Sequence, residues 1–538
     1  MPRRPLKVPA DTEPQRRSIL HGTALFGALC GLILAAVVVV PLLRLLIAGA
    51  SSLEIFSTLM DARTLVSLAN TLLMGGAVAL LAALLAVPTA WICARTDMPF
   101  ARQFRAAMLA MSAVPPLAVA IGYLYLASRG GMFHLHSRLG VLAILALATQ
   151  FPIFSATTSA LAEISAEMDE AAHHLGAHPL TLVQRLTLPH IAPVVSAAMI
   201  NVFLRAIAMF SVPALLILPA DVPVVSTEVW LAFGRHAPVA TLAALALPLL
   251  AVSALMLWLQ RWVLRRRRGL PRSAVDAPAI VPLGRGRWPA FLYVVALWAL
   301  AVGVPVAGLI VAALTPTPAI AANANAITFD LLHAAINTIL YAIAAASIAL
   351  LFATVIAYGV RRHLVSFGHW LSLLCLATLA APGIVLATAF YAAYASDTSM
   401  LNGTVAVVIL AFTARLLPQA YRMASTAIEA LSAELEEAAR MHGAGWWTTL
   451  RLVVLPELEW PMLGAWIALF VIACEELSAA VLLFGPATQT LSISAFQMAA
   501  AGRFNEAASL ACTLLLITML TVQFATRLLG RDALMRQP

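Results

Sequence analysis

The chain has 538 residues, of which 62% are hydrophobic and only 11% charged, with a mean hydropathy of +0.94. Soluble globular chains carry about 25% charged residues, so this composition excludes a single water-soluble domain. The formal net charge of +9 is almost all arginine, and with Lys7 the only lysine a GxxxxGK[ST] phosphate loop is ruled out.

Apolar runs long enough to cross a bilayer core about 30 Å thick recur along the chain. In chain order they predict spans at 20–48, 66–94, 105–127, 138–160, 193–217 and 237–263, then at 288–313, 333–360, 367–393, 401–424, 461–484 and 504–527. The runs are continuous rather than alternating, which points to helices that satisfy their own backbone and away from a β-barrel. The expected fold class is an all-α polytopic membrane protein, with about twelve transmembrane helices as two tandem six-helix halves.

Arg3, Arg4, Lys7, Arg16 and Arg17 precede the first run, which lacks a small-residue cleavage site and reads as a retained helix with a cytoplasmic N-terminus. Arginine clusters at Arg95–Arg105, Arg261–Arg272, Arg361–Arg362 and the C-terminal tail fit the same side, and Arg44 can snorkel to the other interface. This placement suits topology and lipid headgroups, not nucleic acid. Cys30, Cys93, Cys375, Cys474 and Cys512 all fall within apolar runs as small packing residues, without metal-ligand spacing. The Pro-, Gly- and Arg-rich stretch 264–287 reads as a cytoplasmic linker between a first half, 1–263, and a second, 288–538.

The halves repeat one another. Glu170-Ala171-Ala172 recurs as Glu437-Ala438-Ala439, 267 positions on. At the same offset Asn70-Thr71 matches Asn337-Thr338, Pro115 matches Pro382, Gly176 matches Gly443, Pro189 matches Pro456, Phe203 matches Phe470 and Pro219 matches Pro486. Apolar composition alone does not keep so many anchors in register, so the halves are duplicated copies. Six helices per copy gives a parallel repeat rather than an inverted one.

Two polar stretches, 163–193 and 429–461, interrupt the hydrophobic pattern between the fourth and fifth helices of each half. Each reads as an acidic helix, a glycine, a second short helix and a Leu-Pro that ends it. Gly176 and Gly443 suit a positive φ or a close approach, and Pro189 and Pro456 remove a backbone donor before the next span. The pattern Glu170-Ala171-Ala172, Gly176, Leu186, Leu188-Pro189, repeated as Glu437-Ala438-Ala439, Gly443, Val453, Leu455-Pro456, resembles the EAA loop of ABC-importer permeases. Those permeases usually carry isoleucine where this chain has Leu186 and Val453. The resemblance implies a type I permease fold and a coupling helix in each half that docks on a cytoplasmic ABC ATPase dimer. It also implies a periplasmic solute-binding protein, and a bacterial inner membrane with both termini cytoplasmic. Glu170, Gly176, Glu437 and Gly443 would contribute to the docking, and Trp446, Trp447 and Arg451 suit an aromatic anchor. The blander reading is an amphipathic connector lying on the membrane surface.

No cofactor or resident metal is expected. His173, His174, His178 and His190 cluster in the first loop, but the second has no matching set. No nucleophile–base arrangement suggests an enzyme, so the chain reads as a transport permease whose ATP hydrolysis is done elsewhere.

Glu475-Glu476 lies inside the eleventh predicted helix, where the first half has Ala208-Met209. Carboxylates at membrane depth line a solute path or make an interhelical contact, and both readings stay open here. "CEELSAAVLLFGP" with "FQMAAAGRFNEAASLA", and "FSVPALLILP" with "VSTEVWLAFGR", are similar to iron(III) permeases. Iron(III) is therefore the expected cargo, with thiamine, 2-aminoethylphosphonate or polyamine as alternatives within the class. An ion-gradient-driven secondary transporter is the alternative from another class, and it would not need two such loops.

Overall fold

A computed structural model describes residues 30–50, 54–111, 113–130, 135–164, 174, 179–265, 280–315, 324–365, 367–396 and 401–529. The described residues are helical apart from turns and one isolated parallel bridge, Thr96 to Val281. Among the described residues, nine helices are long and apolar enough to cross a membrane. In the first half they are α1 (Cys30–Ala50), α2 (Ala62–Arg95), α7 (Val183–Ala208) and α9 (Val239–Arg265); in the second, α10 (Gly284–Leu314), α11 (Asp330–Arg361), α14 (Val405–Ala430), α16 (Trp446–Glu475) and α18 (Phe504–Leu528). Two bent pairs are long and apolar enough only together, giving up to eleven spans if each crosses as one: α5 (Arg138–Thr149) with α6 (Phe151–Leu161) at 44°, and α12 (Gly368–Ala380) with α13 (Gly383–Ala395) at 109°.

The expected span at 105–127 is not one helix; it is divided into α3 (Ala101–Met111) and α4 (Pro116–Gly130). Pro115-Pro116 explains the break, since neither residue can donate to the helical ladder. The sharp bend between α12 and α13 falls at Pro382, the repeat partner of Pro115.

Small side chains set the packing. Ala342, Ala345, Ala346, Ala349, Ala353 and Ala357 are fully buried along α11, which packs closely on α14. In lipid, where apolar burial between helices gains little, such close approach supplies the dispersion contacts that hold helices together. The first helix of each half crosses to the other half. α1 packs on α9 and also on α13, where the Tyr394 hydroxyl donates to the Ala36 carbonyl at 2.7 Å. α10 packs on α18 and also on α4. At that second crossing a Cβ on Gly122 would lie 2.1 Å from the Pro305 carbonyl oxygen, so only glycine fits.

Short helices α8 (Val225–Gly234) and α17 (Leu491–Ala500) precede the last span of each half. They are pinned alike: Asn70 donates to the Pro223 carbonyl at 2.9 Å, and Asn337 to that of Gln489 at 3.0 Å. The Thr71 hydroxyl accepts from Val225 N–H, and the Thr338 hydroxyl from Leu491 N–H, satisfying one otherwise orphaned donor at each helix start.

Candidate functional site: a docking segment and a cavity between the halves

The second EAA segment lies wholly within the described residues. Ser432 caps α15 (Ala433–Met441) by accepting from Glu434 N–H at 3.2 Å. The helix stops at Gly443, whose φ of +82° lets Ala444 N–H reach back to the Ala439 carbonyl at 3.1 Å. Of the two conformations expected for Gly443, this is the positive φ; no atom approaches where a Cβ would stand. Glu437, Ala438 and Gly443 are exposed and Ala439 is half-buried.

The neighbouring Glu436, not singled out by the motif, is the residue that fixes α15 to the bundle. It is 2% exposed and accepts from the Tyr358 hydroxyl at 2.9 Å and the Arg362 guanidinium at 2.7 Å, with Arg440 at 3.5 Å. Arg362 also donates to the Leu431 carbonyl at 3.1 Å. Its repeat partner Arg95 is buried and donates to the carbonyl of Ile164, the partner of Leu431, at 3.5 Å. A signal for this was in the sequence, since Arg95 and Arg362 share the offset of 267; read as charges alone, they only marked topology.

Beyond α15 an apolar surface stands open: Met441 is 86% exposed, Trp447 64% and Trp446 52%, the two indoles 6.1 Å apart. Arg451 is exposed beside them. The expectation that Leu455-Pro456 ends a helix is overturned. A π-helical turn over Leu450–Val454 widens the ladder just ahead of Pro456, and α16 runs unbroken from Trp446 to Glu475. The same device, Val183–Thr187 ahead of Pro189, carries α7 through. A wider turn absorbs the missing donor and the ring clash that would otherwise stop the helix. Both helices therefore start earlier than the spans expected at 193–217 and 461–484.

In the first segment Glu170, Ala171, Ala172 and Gly176 lie outside the described residues, as do His173 and His178. Leu188 and Pro189 are exposed, as are Leu455 and Pro456. His190 faces Glu163 at 3.4 Å.

A cavity of about 520 Å³ lies where the halves meet, with Pro115 and Pro382 both on its wall. Arg205 of α7, Ser253 and Arg261 of α9, and Arg415, Gln419 and Arg422 of α14 line it, together with Glu475 and Glu476. Of the two glutamates expected inside a helix, Glu475 is the last residue of α16, and Glu476 lies just outside, where the chain turns out of it. One Glu476 oxygen accepts from Ala479 N–H at 3.0 Å and the other pairs with Arg415 at 3.2 Å. Arg422 carries the cavity toward the end of α14 that leads into the second EAA segment. At the opposite end Phe210, Trp230 and Phe496 pack with ring centroids 5.1 to 5.9 Å apart, joining residues of both halves.

Duplicated pins, a cavity on the seam and broken helices around it define a multi-pass membrane protein built from two like halves. The profile of the family described as "Binding-protein-dependent transport system inner membrane component" matches residues 86–269 and again 349–531. The chain belongs to that family.

A putative 2-aminoethylphosphonate transport system permease protein of Salmonella paratyphi A is 27% identical over 175 residues, 32% of this chain and 66% of that protein. A putative ferric transport system permease protein of Haemophilus influenzae is 32% identical over 158 residues, 29% of this chain and 25% of that protein. The ferric transport system permease protein of Actinobacillus pleuropneumoniae is 23% identical over 389 residues, 70% of this chain and 56% of that protein. The chain thus spans just under two thirds of the length of the first of these and about half of the last.

Proposed function

We propose that the chain is the permease subunit of an ATP-binding-cassette importer, alternating access to the cavity between its halves, 1–263 and 288–538, joined by 264–287. A separate ATPase dimer docks on the two EAA segments at the cytoplasmic side, where both termini also lie. A solute-binding protein delivers cargo to the opposite face. The observation that carries this reading is the twofold family match together with the paired EAA segments. Physically, α15 is clamped through Glu436 to the end of α11, which packs on α14 and α16. A push on α15 therefore reaches the helices that line the cavity as rigid-body motion.

Iron(III) is supported by the ferric relatives, one of which aligns over most of the chain, and 2-aminoethylphosphonate by the others. The test is uptake into vesicles holding this chain with its ATPase and binding protein, using radiolabelled ferric iron and 2-aminoethylphosphonate in parallel. Saturable uptake that needs ATP and all three proteins supports the reading and names the cargo. Uptake that runs on an ion gradient without the ATPase overturns it in favour of a secondary transporter.

A further inference from the structure

The cavity is unevenly satisfied. Four guanidinium groups and two carboxylates line it, an excess of two positive charges. Arg415 pairs with Glu476 through its Nε. Arg205, Arg261 and Arg422 are exposed on its lining and make no side-chain hydrogen bond or ion pair with any described residue, although Glu475 is near enough to act on Arg205 electrostatically. On the other side of the balance, Glu475 Oε1, Gln419 Oε1 and Ser253 Oγ are buried without a partner among the described residues. Ser253 is 1% exposed, yet its hydroxyl does not bond back along its helix as those of Thr338, Thr388 and Thr413 do. Unpaired buried polar atoms are costly. Their gathering around one cavity points to a group that arrives from outside the chain.

We infer that the cavity is a binding station for a small dipolar solute, its oxyanion seated on Arg205 and its ammonium on Glu475. This deepens the permease reading and rests on it. A guanidinium fork matches the oxygens of a phosphonate, and its charge makes those hydrogen bonds strong. The Glu475 carboxylate, which lines the cavity, accepts from an ammonium, and Ser253 and Gln419 border the same space. The volume suits a small-molecule site. A bare ferric ion meets a wall with two excess positive charges, which opposes it. None of the charged positions is duplicated: Arg205 stands opposite Ile472 by the repeat, Glu475 opposite Ala208, and Arg415 opposite Ala148. A single oriented ligand needs one such set, not two.

The test is equilibrium binding to the full chain in lipid nanodiscs, with 2-aminoethylphosphonate and with ethylphosphonate, which lacks the ammonium. We expect 2-aminoethylphosphonate to bind about tenfold more tightly or better, the scale of one charge-assisted hydrogen bond. Glu475→Gln should erase that advantage while leaving ethylphosphonate affinity in place. Arg205→Gln should weaken both ligands about tenfold or more, with partial recovery in Arg205→Lys. Equal affinity of the two ligands for the unaltered chain overturns the inference, as does binding of neither. Should Glu475→Gln fail to fold, the ratio measured on the unaltered chain still decides. ATP-driven uptake of another cargo without phosphonate binding would sink this inference alone; loss of ATP dependence for every cargo would sink the permease reading.

Discussion

In the first half Arg95 donates to the carbonyl of Ile164, and 267 positions on Arg362 does the same to Leu431. The Ser226 hydroxyl donates to the Met209 carbonyl, as that of Ser492 does to Cys474. Asn70 and Asn337 pin α8 and α17, and a π-helical turn precedes both Pro189 and Pro456. The cavity wall behaves otherwise, with Arg205, Arg415 and Glu475 each matched at the repeat offset by an apolar residue of the other half. After duplication, the contacts that hold backbone in place were kept in both copies, because each half needs its own. The charges of the cavity were free to diverge, because one space on the seam serves both.

The largest effect should come from breaking the kept frame. Arg362→Ala leaves Glu436 buried with fewer donors, at a cost of about 3–5 kcal/mol, the penalty typical of a broken buried pair. The unfolding midpoint in detergent should fall, and ATP-coupled uptake should be lost. Arg95→Ala should behave alike if the frame is symmetric, so unequal midpoint shifts would break the comparison. Gly443→Val forces a β-branched residue to φ +82°, a strain of about 1–3 kcal/mol, while Gly443→Asn should be tolerated. Uptake in the valine variant should drop well below its ATPase rate; unchanged coupling would remove Gly443 from the docking segment. Smallest for the chain itself is Trp447→Ala, whose unfolding free energy should stay within about 0.5 kcal/mol of the parent because the side chain is largely exposed. Its retention of the ATPase subunit should nonetheless fall about tenfold if the indole is an interface anchor. Equal retention would assign the tryptophan to the lipid interface.

The spans, the repeat and the EAA pattern were legible because each rests on many residues with one period or one offset. Position within a helix was less so. Glu436 and Glu437 are adjacent and chemically alike, and only the placement of α15 turns the first inward to Arg362 and leaves the second exposed. Arg205 and Arg415 each stand alone in an apolar run, and a lone arginine carries no motif. The prolines misled in a different way: the rule that Pro ends a helix holds for an α-ladder, and here the preceding turn is not one.

The exchanged first helices bear on how the protein is made. α1 emerges early, but α13, against which it packs, follows about 350 residues later. At roughly 5–20 residues per second, α1 waits on the order of 20 to 70 s for that partner. Lipid can hold a lone apolar helix meanwhile without an aqueous penalty. Neither half completes its own bundle, so a ribosome that stops at the linker leaves an unfinished assembly, and joining both halves in one reading frame keeps the missing surface at hand when it is needed.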